Sequence, residues 1–402
     1  MYQVVTRLLG AAAVAVGLAI SAHASQAFEV SGYVAAEARL FAHSPLDARQ
    51  RRHSGSVVLQ PEFYHEFGDG AQSVLFAPFA RFDSADAERT HFDIRELIWQ
   101  YVGDVWELRA GIGKVFWGVT ESQHLVDIVN QADLVESADG EDKLGQPMVT
   151  VSYSLDAGTL DVFALLGFRE RTFPGVRGRL RTTPRVDVDQ ARFESGAGRG
   201  HIDIAGRYSH FVGSLDFAVS HFYGTSREPT LIPGVTRSGE VILVPFYPLI
   251  HQTGLEFQYT DDAWLWKLEA IRRSGQGDPF IAVTGGFEYT FYGVFDTPAD
   301  VGVIGEYLYD TRGEIGGGPF QKDVLVGVRL ALNDEQSTDL LAGIVTDMDD
   351  GSHLFRLEAS RRLTNNLKLN VEGRMFADVP QASPFRSLRH DDYLQLQLTW
   401  FF

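Results

Sequence analysis

Period-two alternation, returning about eighteen times between Phe28 and Phe402, constrains this chain more than any other feature of it. It is plainest at the end, where Leu394, Leu396, Leu398, Trp400 and Phe402 alternate with Tyr393, Gln395, Gln397, Thr399 and Phe401. Successive side chains of a strand point to opposite faces, so this strand is wholly apolar on one side and mostly amide and hydroxyl on the other. Phe28 to Phe41 does the same, with Val30, Gly32, Val34, Ala36, Ala38 and Leu40 opposite Glu29, Ser31, Tyr33, Glu37 and Arg39. Val57 to Phe67 sets Leu59, Pro61, Phe63 and Phe67 against Gln60, Glu62, Tyr64 and Glu66. Ser73 to Asp83 sets Val74, Phe76, Ala80 and Phe82 against Arg81 and Asp83. Phe92 to Val102 leaves its facing open, because Asp93 and Arg95 share a parity with Leu97, Trp99 and Tyr101. A fifth run covers Trp106 to Phe116. The others are expected near 148–155, 159–168, 201–211, 214–223, 250–259, 263–273, 280–291, 300–310, 322–332, 338–347, 353–363, 367–376 and 391–402.

The joints between these runs alternate in length. Short ones fall at 68–72, 103–105, 156–158, 212–213, 260–262, 333–337 and 364–366, with 292–299 somewhat longer. The intervening joints include 42–56, 117–147, 169–200, 224–249, 311–321 and 377–390, beside modest ones at 84–91, 274–279 and 348–352. A soluble sandwich has no reason to gather its long loops at one end, whereas a membrane barrel does so as a rule. Runs of roughly nine to twelve residues also match a tilted strand crossing a bilayer. The predicted fold is therefore all-β: a transmembrane antiparallel up-and-down β-barrel of about eighteen strands, with sixteen as the alternative. Its turns are expected to be short on the periplasmic side and its loops long outside, with both termini periplasmic. The last strand then pairs with the first, which abolishes both edges.

The N-terminus agrees with export. Met1 to Arg7 is a short basic segment, Leu8 to Ile20 is apolar, and Ala22-His23-Ala24 fits a leader cleavage site, with Ala27 as a second choice. We take 1–24 as a signal peptide and 28–402 as one barrel domain. The apolar stretch is short for a membrane helix, and none of eighteen apolar residues follows it. Gly is high at 40 of 402 residues and Cys is absent, which suits many strands and turns without disulfide staples. A formal net charge of −18 excludes nucleic acid as a partner, since that demands a basic footprint. Aromatics such as Trp106, Trp264, Trp266, Tyr289 and Trp400 sit near strand ends, where girdles at the membrane interfaces place them.

Alternate positions of the strands would face the lumen, among them Arg81, Glu107, Arg109, Asp203, Arg207, Lys267, Glu269, Glu306, Asp323, Arg329, Arg356 and Arg374. Charges of both signs in such numbers imply a hydrated interior, with most of them pairing to hold the wall. The joint from Gly118 to Pro147 is the most distinctive. Thr120 and Gln123 have capping-box spacing, and Leu125, Ile128, Val129 and Ala132 follow at helical spacing opposite Asp127, Asn130 and Gln131. The pattern predicts an amphipathic helix that either folds into the lumen as a constriction or caps the barrel from outside. Asp127, Asn130 and Asp133 from this joint, with Arg81, Arg109 and Arg207 on the wall, are the candidate constriction residues. The spacing of Asp139, Glu141 and Asp142 matches no metal-ligand loop, and no cofactor is called for. In the joint 169–200, Arg169, Arg171, Arg177, Arg179, Arg181, Arg185, Arg192 and Arg199 outnumber four acids. They would recruit anions, contact lipopolysaccharide, or pair with acidic loops.

The mature chain resembles the bacterial outer-membrane porin-like superfamily, including substrate-specific porins of eighteen strands. Trp117-Gly118, Asp127-Ile-Val-Asn130 and Asp133-Leu134 resemble a run in alginate-export-type and related barrels. The closing strand resembles those whose terminal Phe is read by the barrel-assembly machinery, which would make Leu398, Trp400 and Phe402 the assembly signal. The resemblance implies passive diffusion of small hydrophilic solutes across a Gram-negative outer membrane, with lipid and lipopolysaccharide as surroundings and the oligomeric state open; the arginine-rich joint 169–200 would add anionic solutes to these. The rival expectation is a surface scaffold or adhesion barrel with a loop-blocked lumen. Catalysis is not expected: Ser209-His210, Ser220-His221 and Ser352-His353 are sequence neighbours, which on a strand point to opposite faces.

Overall fold

A computed structural model describes residues 28–313, 318 and 320–402. The expected leader and both of its cleavage points lie outside the described residues. In chain order the strands are β1 Glu29–Phe41, β2 His53–Phe67, β3 Gln72–Asp83, β4 His91–Val102, β5 Trp106–Gly113, β6 Gln146–Leu155 and β7 Gly158–Leu166. Then come β8 Arg192–Phe193, β9 Ile202–Val212, β10 Leu215–Thr225, β11 Thr230–Val235, β12 Val241–Tyr247, β13 Leu249–Asp261 and β14 Trp264–Ser274. The chain ends with β15 Phe280–Phe291, β16 Asp300–Asp310, β17 Lys322–Ala331, β18 Asp339–Asp347, β19 His353–Thr364, β20 Leu367–Ala377 and β21 Tyr393–Phe401.

All of these except β8, β11 and β12 form one sheet of eighteen strands, each antiparallel to its neighbours. The sixteen-strand alternative is excluded. β21 closes on β1, with Tyr33 opposite Phe401 and Phe41 opposite Tyr393. Phe402 and Gly32 exchange both backbone hydrogen bonds at 3.1 Å, so the last residue completes the seam. Closure leaves the eighteen-stranded sheet no edge to recruit a foreign strand.

Facing follows the alternation. On β1, Ala35, Glu37, Arg39 and Phe41 are buried inward while Leu40 is exposed outward. On β21, Leu394, Leu396, Leu398 and Trp400 are exposed, and Tyr393 and Thr399 are buried. The ambiguity of β4 is settled by a bulge. Ala77 of β3 pairs with Glu96 but Pro78 pairs with Ile94, which leaves Arg95 as the extra residue. The bulge reverses the parity, so Arg95 turns inward although Leu97, two residues on, is exposed on the outer face. Aromatics gather at the short-turn end: Trp264 stacks on Trp266 at 5.3 Å and Tyr101 on Trp106 at 5.1 Å. Phe82 and Phe92 are exposed beside the connection at the other end.

The three remaining strands lie within the long joints 169–200 and 224–249. β11 pairs antiparallel with β12, and β12 runs parallel to β8. Ile242 and Val244 of β12 are buried at period two, while buried Pro245 and Tyr247 fall on the other parity, a pattern too short and mixed to stand out between loops. At this end the loops also interlock by charge. Arg179 donates to Asp391 at 2.7 Å, Arg181 to Asp47 at 2.8 Å and Arg49 to Glu240 at 2.7 Å.

Candidate functional site

The joint between β5 and β6 lies inside the barrel, and it is not a helix. From Lys114 to Gly145 it is irregular, with turns and isolated bridges. The predicted amphipathic helix over Leu125 to Ala132 is therefore corrected. A helix satisfies its own backbone, but here the inner wall does that work. Glu269 of β14 accepts hydrogen bonds through Oε1 from the amides of Val119 (2.7 Å) and Thr120 (3.0 Å) and from Thr120 Oγ1 (2.7 Å). Its Oε2 accepts from the Val126 amide at 3.2 Å. Glu306 of β16 accepts from the amides of Glu121 (2.7 Å) and Ser122 (2.8 Å). A helix also buries one stripe only, whereas Val126, Ile128, Val129, Asn130 and Gln131 are all buried. The apolar ones pack on inward Phe163, Leu165, Phe222, Ile250, Ile271 and Phe280, so part of the inner wall is dry rather than hydrated.

Trp117 and Gly118 start this path. Trp117 is buried edge-on against Phe163, with ring centres 5.6 Å apart. Gly118 has φ +139°, and a Cβ there would stand 3.0 Å from Glu269 Oε1 and 2.9 Å from His124 Nδ1. Glycine is needed for both the conformation and the close approach to the carboxylate.

The candidate constriction residues are fasteners in this arrangement. Asn130 accepts from the Val115 amide (2.8 Å) and donates to the carbonyls of Gly113 (2.9 Å) and Leu144 (2.8 Å), clasping both ends of the segment. Asp127 is buried against Lys143 at 3.1 Å. Asp133 is wholly buried and accepts from Arg95 of β4 at 2.7 Å. Arg81 joins Glu136 of the segment to Glu37 of β1, at 2.5 and 2.9 Å. Arg207 and Arg109 stand apart from the segment: Arg207 grips Glu256 through two bonds of 2.9 and 2.8 Å, and half-exposed Arg109 pairs with Glu107.

Further on, Asp139 binds Arg356 of β19 at 3.1 Å and Arg374 of β20. Burial works against its charge, but Arg374 and Arg356 outweigh it and hold the carboxyl well below its usual range. Glu121 reaches Arg329 of β17 at 2.6 Å. The segment therefore meets β3 and β4 at one part of the ring and β14 to β20 at another. Beside it remains a cavity of about 380 Å³, bordered by Glu121, Asp139, Arg171, Arg273, Arg356 and Leu341 among others. Of these partners, Glu269, Glu306, Arg356 and Arg374 were legible only as inward positions, because pairing with a loop leaves no periodic trace.

His124 supplies a pH-sensitive tie. Burial disfavours its charge, yet Glu141 at 3.4 Å and Glu269 at 3.7 Å outweigh that and push it up to about 10. A raised histidine stabilises below the free value of about 6.5 and progressively less as pH rises through its own. Protease cutting of the segment near His124 is thus expected to quicken as pH passes about 10. In His124→Gln the rate should be flat across that range; equal rises in both proteins would remove the tie.

The arginines of 169–200 are largely spent on the protein itself. Arg169, Arg179, Arg181, Arg185 and Arg199 pair with Asp93, Asp391, Asp47, Glu240 and Glu170. Arg171 instead shares the cavity rim with Arg273, Arg312, Glu228 and the Arg312 partner Asp310; against the effect of burial, Arg273 first, then Arg171 and Arg312, bring Glu228 down to about 2.

No family model and no curated protein matches the chain. Solved structures do. The crystal structure of Pseudomonas aeruginosa OccK3 (OpdO) superposes with a TM-score of 0.51 and 10% identity, over 93% of this chain and 96% of that one. The fold is that of a bacterial outer-membrane porin. Pseudomonas putida OprB in its high-pH structure (TM-score 0.45, 11% identity, 94% of each chain) is also similar to this porin-like barrel. So is a mutant of Rh. blastica porin (0.45, 10%, 93% of this chain and 100% of that one). At these identities the likeness is one of architecture. The sequence-adjacent pairs that lie on strands, Ser209–His210 of β9 and Ser220–His221 of β10, point to opposite faces, and in β10 Ser220 is buried while His221 is exposed.

Proposed function

We propose that the chain is a Gram-negative outer-membrane channel for passive diffusion of small hydrophilic solutes, anionic ones included. In this reading the segment 118–147 is its constriction, and the termini are periplasmic. The observation that carries this reading is the segment itself, bound through Glu269, Glu306, Arg356 and Arg374 to inward faces around the ring, beside a charged cavity. A loop fixed inside a barrel narrows it, and the charges at the narrow point select among ions. Asp127, Asn130, Asp133 and Arg81 set the width from behind by fixing the loop, and Arg207 and Arg109 contribute charge along the wall. Anion preference is supported by Arg171, Arg273 and Arg312 at the cavity rim, three cations against the two acids Glu228 and Asp310. The reversal potential in a salt gradient tests it: a shift toward the anion potential is expected, and clear cation preference would overturn it.

The loops interlocked through Arg179, Arg181 and Arg49 favour a second reading, a surface scaffold whose mouth they close. Absence of any conductance would favour that scaffold. Leu398, Trp400 and Phe402 we assign to assembly. Removing Phe402 should lower the yield of folded barrel in cells far more than in detergent refolding, and equal losses in both would remove that role.

A further inference from the structure

At the long-loop end of the wall, Asp323 of β17 stands directly across from Asp347 of β18. Both side chains are buried, with 1% and 5% of the residue exposed. The nearby cations are committed elsewhere: Arg312 to Asp310 at 2.6 Å and Lys322 to Asp349 at 3.0 Å. Asp347 is fixed in place, since its Oδ1 accepts from the amides of Asp349 (2.7 Å) and Asp350 (2.8 Å). Asp323 Oδ2 is buried and has no hydrogen-bond partner among the described residues. Two residues ahead of Asp323, Gln321 is 2% exposed, and its Oε1 likewise has no donor among them. Its Nε2 is turned to the Gly318 carbonyl.

Like charges directly opposite on a sheet repel, and a buried carboxylate oxygen with nothing to bind is costly. Nature resolves such pairs with a proton or a cation. A shared proton would serve the two carboxylates but leave Gln321 Oε1 unanswered, because that oxygen also needs a positive or donating partner. A hard divalent cation answers all three oxygens at once, and oxygen-only donors are what calcium takes.

We propose that Asp323, Asp347 and the amide oxygen of Gln321 form a divalent-cation site of the calcium class, with water completing the coordination. No group of three or more His, Cys, Asp or Glu side chains among the described residues forms a metal site, so this is a two-carboxylate site. Such a site belongs with weak extracellular ones, saturating on the order of 0.1–1 mM. The cation bridges β17 to β18 and ties down the end of the connection 311–321.

Calcium titration of the detergent-folded full barrel, stripped with chelator, tests this by calorimetry and thermal unfolding. One saturable site is expected in the wild type, absent from Asp323→Asn and from Asp347→Asn. Calcium should raise the melting temperature of the wild type and not that of Asp323→Asn. Without calcium, Asp323→Asn should melt no lower than the wild type, because the repulsion is gone; this shows that the variant folds. A wild type with no saturable site, or the same site retained in both variants, overturns the proposal.

Discussion

Deleting Gly118 to Leu144 should leave a folded barrel whose single-channel conductance is severalfold larger. The eighteen-strand ladder closes without any residue of this segment, so its hydrogen bonds survive the deletion. What the deletion removes is material held within the ring: the apolar run Val126 to Val129 on the dry wall, and the acids that meet Arg81, Arg356 and Arg374. The uncovered wall charges then face water and pair with ions, which lowers the barrier to permeation. Wild-type conductance in the deletion variant would mean that this segment does not set the width.

Glu269→Ala should release the same segment without shortening the chain. Its carboxylate satisfies three backbone amides and one hydroxyl that no helix satisfies for them. A buried donor left without a partner costs about 1–3 kcal/mol, so three of them put the bound position several kcal/mol above its present level. That exceeds what the local packing of a loop usually holds in reserve, since loops open at the low end of a protein's stability range. Expected are a higher open-state current, frequent flicker and faster proteolysis between Val119 and Leu125. Glu269→Gln, which keeps acceptor oxygen but loses charge, should fall between. A quiet, wild-type trace in Glu269→Ala would show that Glu306, Asn130 and the apolar contacts suffice.

The barrel was legible because each strand writes its own facing in period two, and because long and short joints alternate along the chain. Where β4 broke that rule, one extra residue at Arg95 explains it, and a bulge leaves no mark in parity except the conflict itself. The interior was much less legible. Leu125, Ile128, Val129 and Ala132 have helical spacing, but local spacing decides only when a backbone must satisfy itself. Here the carboxylates of Glu269 and Glu306, about 150 to 185 residues away in sequence, made an irregular path affordable. Non-periodic pairing, over separations of 14 to 38 residues, hid the roles of Asp127, Asn130 and Asp133. Their residue types suggested charge on a path, while their partners Lys143, Gly113, Leu144 and Arg95 make them fasteners. β8, β11 and β12 were hidden for a simpler reason, being shorter than a membrane-crossing strand and set among Arg, Gly and Pro.

The central claim is that a solute path runs beside the segment bound by Glu269 and Glu306. Single-channel recording of the purified wild-type chain in planar bilayers tests it most directly. Discrete, reproducible conductance steps are predicted, smaller than those of the variant lacking Gly118 to Leu144. A chain that inserts yet shows no steps under any solute, while the deletion variant conducts, would contradict the channel and leave a barrel closed by its own loops.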